Sequence, residues 1–441
     1  MPPKTESPLH ISLRSDGRSF VKGSPGVPNS IPRIQTTIHI RPARGPTFDC
    51  RAVTLELLTT QKVVVPSALS SGETVKQTRV FADPLVYVPP VGQFSQTMLA
   101  LDVPVLIPLD RDIVPSGYVE TWGASTVHTL VVRVLLGTSV ASEQTTVREF
   151  PVAVKTYDTL PLYRQFNEPV CESQVSADKQ VLVDVTLPAS AVGPQDSLHV
   201  AVRVAANHLY HKRKKNLQLR LVTLQIKEVF EGFDGGLPAR KERKLHSETR
   251  THECALSTEG VDNRFLMVFP HENDMLDLYS GSADQVIQKQ PVRRITASFN
   301  KNRNMPKLAE GVPLTHVQGF TLLGKLFALR YEIVLKIRLA HGKDVVCSIP
   351  LTVSPYNRAS STYLMLWIMA ECQAARDVFG RDTVADIVAG RRFDDMYRAA
   401  RPFCAPPVVY SYNPSDWVEL GYNADAFYNP RSDRRYACEI D

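Results

Sequence analysis

The chain has 441 residues, with 51 Lys+Arg against 45 Asp+Glu for a formal net charge of +6, and it is 43% hydrophobic and 22% charged. That is ordinary globular composition, with apolar material for two substantial cores. It excludes wholesale disorder and the holding of nucleic acid by bulk charge alone. The 32 prolines and 22 glycines point to turns and strand edges rather than long helices.

In chain order, Met1 to Pro8 lacks the apolar centre of a signal peptide. Short runs alternating apolar with polar residues then predict strands. Ile34, Thr36, Ile38 and Ile40 share one face, and Val53, Leu55 and Leu57 share another. Leu99, Leu101, Val103 and Val105 continue the pattern, as does the run from Val127 to Leu136. Residues 150–157 (FPVAVKTY) return 199 positions later as 349–356 (IPLTVSPY), each after a long alternating strand. The order 34–40 then 53–57 has its echo in 198–204 then 221–225. The repeated order predicts two related β-sandwiches, 9–158 and 170–356, joined by Leu160–Pro169. Long loops are expected around 66–80, 232–262 and 280–312, with some disorder.

The pattern changes after Tyr356. Ser360-Ser361-Thr362 is suited to cap a helix carrying Leu364, Trp367, Ile368, Ala375 and Val378, which Gly380 ends. A second helical stretch from about Thr383 to Ala389 stops at Gly390 and resumes to Ala400. The apolar face of this 360–400 segment is expected to pack on the second sandwich. Residues 401–441, rich in Pro, Asn, Tyr and Asp, read as an extended tail. No run approaches the roughly 18 apolar residues of a membrane span; the longest candidate, Tyr363–Ala370, has eight.

No sequence pattern supports catalysis. The phosphate-loop, nucleophile-elbow and zinc-helix motifs are missing, and Gly232-Phe233-Asp234-Gly235-Gly236 lacks the lysine of a phosphate loop. His246, His252 and Cys254 fit no common zinc spacing and read as a polar loop. Cys50, Cys171, Cys254, Cys347, Cys372, Cys404 and Cys438 are odd in number and scattered, as reduced thiols in a cytosolic protein are. The expectation is therefore a non-enzyme with no metal, cofactor or disulfide.

Two features stand out. His211-Lys212-Arg213-Lys214-Lys215 lies between two alternating runs, the natural place of an exposed hairpin tip. Lys212, Arg213, Lys214 and Lys215 then suit an anionic membrane surface or an acidic protein, at about 1 kcal/mol per basic residue near an anionic leaflet; a solvated turn is the alternative. In Ala405-Pro406-Pro407-Val408-Val409-Tyr410, Pro406, Pro407 and Tyr410 approximate the Pro-Pro-x-Tyr ligand of WW domains, with one extra residue before the tyrosine. The alternative there is a proline-rich stretch lying on the body.

Three segments carry a family resemblance. Phe20-Val21-Lys22-Gly23-Ser24-Pro25-Gly26 precedes the strand Ile34–Ile40. Val103–Pro108 leads through Val114-Pro115-Ser116 to Val127–Leu136, and Ser197–Gln225 opens the second half. This layout resembles the arrestin superfamily, specifically the fungal arrestin-related (α-arrestin) trafficking adaptors, over about residues 9–356. The resemblance implies an all-β fold of two tandem arrestin-like, immunoglobulin-like β-sandwich domains, followed here by the helical segment and tail. It also implies a non-catalytic adaptor, cytoplasmic and peripherally associated with plasma membrane or endosomes. Such an adaptor recognises membrane-protein cargo and links it to ubiquitin-dependent endocytosis or sorting, through a HECT-type ubiquitin ligase whose WW domains bind tail motifs. Two other classes remain open. One is a retromer-like sorting scaffold without ligase recruitment. The other is a tandem β-sandwich DNA-binding protein, which needs basic clusters on several loops at one end; only 211–215 and the looser Arg240-Lys241-Glu242-Arg243-Lys244 are available, so nucleic acid is not the expected partner.

Overall fold

The structure is a computed structural model and describes residues 7–14, 20–66, 71–119, 122–162, 164–193, 196–209, 217–233, 239–269, 320–390 and 392–411. It is all-β in its body. The first sandwich contains β1 (Leu9–Leu13), β2 (Val21–Lys22), β3 (Arg33–Pro42), β4 (Phe48–Pro66), β5 (Ser71–Tyr87), β6 (Gln96–Met98), β7 (Ala100–Pro108), β8 (Gly117–Val119), β9 (Ala124–Leu136) and β10 (Gln144–Val152). One of its sheets has the order β1-β3-β7, with β2 beside β3; the other runs β10-β9-β4-β5, with β6 on β4 and β8 on β9. The inward phase of each strand fills the space between. Ile34, Ile38 and Ile40 of β3 and Leu101, Val103 and Ile107 of β7 meet Val53, Leu55 and Leu57 of β4 and Leu130, Val132 and Val134 of β9. Two-residue alternation puts each of these sets on a single face.

The second sandwich repeats the plan with β11 (Val170–Val175), β12 (Val181–Leu187), β13 (Ala191–Val192), β14 (Ser197–Ala206), β15 (Gln218–Gly232), β16 (Ala239–Ala255), β17 (Val261–Val268), β18 (Leu322–Leu323), β19 (Phe327–Ala340) and β20 (Val345–Val353). Its sheets are β11-β12-β14-β17 and β13-β20-β19-β15-β16, with β18 on β19. The order β20-β19-β15-β16 reproduces β10-β9-β4-β5, so the sequence echo marks a duplicated topology. The echoed tyrosines meet: Tyr157 and Tyr356 stack with ring centroids 5.4 Å apart and planes 14° from parallel.

Several expectations change. Much of the loop expected at 66–80 is β5, and most of that at 232–262 is β16; the 280–312 loop lies outside the described residues. Both strands are the outermost of their sheets and carry Lys, Arg, Glu and Thr on largely exposed faces, so they lack the alternation that marks a half-buried strand. Long ladders to β4 and β15, each with two register shifts, hold them instead. His246, His252 and Cys254 therefore sit on a strand rather than a loop, where His252 hydrogen-bonds Asn263 at 2.7 Å. The strands that flank the 211–215 cluster, β14 and β15, belong to opposite sheets; the cluster itself lies outside the described residues.

Three helices follow, α1 (Arg358–Phe379), α2 (Arg381–Ala389) and α3 (Phe393–Ala400). The cap of α1 is Asn357, whose Oδ1 accepts from the Ser360 amide at 2.8 Å, so Ser360–Thr362 fall inside the helix. The helices pack mainly on the first sandwich, not on the second. Ile31 and Leu106 present apolar surface outside the first core, and Ala375, Phe379, Val384, Ile387, Met396 and Ala400 cover it. Nearer its start, α1 sets Leu364 and Ile368 against Val27, Tyr157, Leu160 and Tyr356, where both sandwiches end. Val378, expected on the buried face, is exposed.

Candidate functional site

The chain after α3 returns to the first sandwich. A 3₁₀ turn (Arg401–Phe403) leads to β21 (Val408–Tyr410), which adds to the free side of β7 and extends that sheet to β1-β3-β7-β21. Val408, Val409 and Tyr410 pair antiparallel with Asp102, Leu101 and Ala100, and the Leu99 amide donates to the Tyr410 carbonyl at 2.9 Å. The strand forms here because Val-Val-Tyr suits a pleated, half-buried surface and the preceding prolines lack the amides that a ladder needs.

Asp102 holds the outer face of this junction. Its Oδ1 accepts from His39 Nδ1 at 2.8 Å and from Arg41 Nη1 at 2.7 Å, and its Oδ2 accepts the Tyr410 hydroxyl at 3.3 Å. Burial alone raises the Asp102 pKa, but the hydrogen bonds from His39 and Arg41 and the Arg41 charge outweigh it and hold the carboxyl below its ordinary value. The Arg41 guanidinium also lies 5.8 Å from the Tyr410 ring centroid. Of the three candidate WW-binding residues, Tyr410 is thus engaged with the body, Pro407 is half-buried and Pro406 is exposed.

Beside this strand lies a cavity of about 360 Å³, whose lining includes Arg14, Lys22, Arg33, Gln35, Phe403 and Cys404. Arg33, in its lining, donates from Nε to Gln35 at 2.8 Å and from Nη1 to the Ile31 carbonyl at 3.1 Å. Its guanidinium stacks 4.9 Å from the Phe379 centroid. Burial lowers the Arg33 pKa and the Glu371 charge acts in the other direction. Further along, Tyr397 donates to Asp83 at 3.0 Å and packs on Phe81 at 4.9 Å, fixing α3 to β5.

A second junction ties the sandwiches together. Glu228 is 2% exposed and accepts four hydrogen bonds. Trp122 Nε1 and Arg243 Nε reach Oε1 at 3.1 and 3.0 Å, and Arg243 Nη2 and the Tyr331 hydroxyl reach Oε2 at 3.2 and 3.1 Å. Burial, then the Glu228 charge, raises Tyr331 well above its ordinary pKa. Gln61 of the first sandwich accepts from the Lys325 and Leu326 amides at 3.0 and 3.2 Å. Glu228 could have been flagged from the sequence, because it occupies the inward phase with Leu224 and Ile226; its partners, 106 residues before and 103 after, could not.

The basic stretch of β16 is largely used internally. Arg240 pairs with Glu242 (3.1 Å), Glu332 (3.5 Å) and Glu231 (3.6 Å), Arg243 holds Glu228, and Lys241 sits 5.7 Å from the Trp122 ring centroid. Lys212, Arg213, Lys214 and Lys215 lie outside the described residues. Among the described residues no group of three His, Cys, Asp or Glu side chains is placed to hold a metal, and six cysteines are free thiols. No helix among them is long and apolar enough to cross a membrane.

These features define a two-sandwich all-β protein whose first sandwich is completed by its own C-terminal segment. No protein-family model matches the chain. A curated protein of Saccharomyces cerevisiae, RHO1 GEF localizing protein 1, is similar to it end to end, being 20% identical over 463 residues that cover 91% of this chain and 92% of the relative.

Proposed function

We propose that this chain is a non-catalytic adaptor of the arrestin type that holds a partner protein at a membrane site, and that a Rho-family GEF is one such partner. The observation that carries the reading is the end-to-end similarity to a protein named for localizing a RHO1 GEF, which spans sandwiches and helical segment together rather than one module. Internal use of the basic residues of β16 favours a protein partner over nucleic acid. The test has two arms, binding of the purified full chain to Rho-family GEFs of its own organism, and imaging of those GEFs in cells lacking the chain. Direct binding and loss of GEF localization, with GEF catalysis unchanged, are expected. GEFs that neither bind nor move would refute the reading.

A second reading rests on the outward placement of Pro406. The tail recruits a WW-containing ubiquitin ligase, and membrane-protein cargo held by the sandwiches is ubiquitylated. Recruitment through Tyr410 then requires β21 to leave β7, since the ring and hydroxyl are engaged at Arg41 and Asp102.

A further inference from the structure

We propose that the far end of the first sandwich is a lipid-inserting tip, made of the β5–β6 loop (88–95) and the β9–β10 loop (137–143). Both loops leave their sheet near the Phe48 end of β4, where Cys50 pairs with Gln96 and with Leu136. The other end of β4 faces the second sandwich through Gln61 and Val63. The tip therefore lies at the end of the first sandwich opposite the second sandwich.

Its side chains are wrong for a loop that serves only as a connection. Val91 is 106% exposed and Val140 74%, and Val88 and Phe94 are exposed as well. Single exposed apolar residues need no explanation, but four large ones on two neighbouring loops do. Charge is missing too: none of the residues from Pro84 to Leu101 is charged, nor any from Gly137 to Ser142.

The loops are also held in shape. Pro89 and Pro90 restrict the backbone, Gly92 takes a left-handed φ of 91°, and the Gln93 amide donates to the Pro90 carbonyl at 3.0 Å. The Arg51 guanidinium lies 3.9 Å from the Phe94 ring centroid and pairs with Glu143 at the foot of the other loop, so one arginine binds both loops. Ser139 and Ser142 form a reciprocal capping box around Val140. Little conformational entropy is left to lose on binding.

Lipid fits this surface better than protein does. Val91 and Val140 stand in water on two separate loops, and a protein would need a matched socket for each. The headgroup–acyl boundary closes around any protruding shape. Arg44, exposed on the β3–β4 turn at the same end, matches anionic headgroups in charge. The tip adds a second, apolar membrane contact to the adaptor reading and does not depend on which protein the adaptor holds.

The test uses the full chain and sedimentation with phosphatidylcholine vesicles, with and without phosphatidylserine. Val91→Asp combined with Val140→Asp should weaken binding about tenfold or more while leaving the melting curve unchanged, since both side chains are in water. The loss should persist at high salt, unlike that from replacing Lys212, Arg213, Lys214 and Lys215 with alanine, which should fade as salt screens it. A Val91→Trp variant should shift its emission to the blue with vesicles and be quenched by brominated acyl chains. Absence of vesicle binding by the unmodified chain, unchanged binding of the double Asp variant, or no quenching of the Val91→Trp variant would each overturn the proposal. Failure of GEF binding alone would leave it standing.

Discussion

Arg243→Met isolates the energy of the junction between the sandwiches. Glu228 is 2% exposed and Arg243 supplies two of its four hydrogen bonds and its only charge partner among the described residues. Removing one member of a buried pair costs about 3–5 kcal/mol. The Arg243 side chain is itself 44% exposed, and Trp122 and Tyr331 go on donating, so the cost falls at the lower end, about 3 kcal/mol. Adding Glu228→Gln removes the stranded charge and keeps an acceptor for Trp122, so the double variant should recover all but about 1 kcal/mol. For a domain of roughly 150–250 residues, 1 kcal/mol moves the melting temperature by about 2–4 °C, so the single variant should melt about 6–12 °C lower. Calorimetry with separate treatment of the two sandwiches is the assay, since a two-domain chain need not unfold in one step. A double variant as unstable as the single one, or a single variant within about 1 kcal/mol of the unmodified chain, would refute the reasoning.

The tail gives a second prediction: a 400–415 peptide should bind a ligase WW domain more tightly than the intact chain does, and Asp102→Asn should narrow the gap by loosening β21. Titration calorimetry on peptide, chain and variant measures it, along with the peptide lacking Val409, whose restored spacing should tighten binding. A third concerns pH. His128 is buried; its Nε2 donates to the Val114 carbonyl at 2.8 Å and its Nδ1 accepts from Thr59 at 2.9 Å, and burial lowers its pKa. Its contribution is thus complete above the unfolded value of about 6.5 and is lost as pH falls below that. Melting temperature should drop between neutrality and mild acid, and His128→Gln should flatten that slope. A fourth is Gly193→Ala: the added Cβ would lie 2.0 Å from the Tyr356 carbonyl oxygen, so a loss of more than about 3 kcal/mol, or an insoluble protein, is expected in expression and melting assays.

Alternation made the interior strands readable because Ile34 to Ile40 and Val53 to Leu57 have one wet and one dry face. The edge strands β5 and β16 are wet on most of both, so their composition matches that of loops. The repeat was readable because each copy keeps its own Tyr, although nothing local to Tyr157 or Tyr356 says that the two rings touch. The helices were found within a few residues from caps and breakers, but their docking was not. An apolar helix face says that it must be covered, not by which sandwich, and the decisive groups, Ile31 and Leu106, are more than 250 residues away. Pro406, Pro407 and Tyr410 read as a recognition motif in sequence, and Val408–Tyr410 form a strand in structure, since a short extended segment serves either use.

The pairing of β21 with β7 has a consequence for synthesis. The first sandwich lacks its last strand until residue 410 has left the ribosome, roughly 300 residues after β7, or about 15–60 s at usual elongation rates. Through that interval the Ala100–Asp102 edge and the apolar surface at Ile31 and Leu106 are exposed on a nascent chain. That edge invites pairing with a neighbouring polypeptide. β7 carries Pro104 and Pro108 next to that edge, and neither can donate to an intruding strand. Truncation before residue 358 should therefore yield a first sandwich that folds and then self-associates, rather than one that fails to fold.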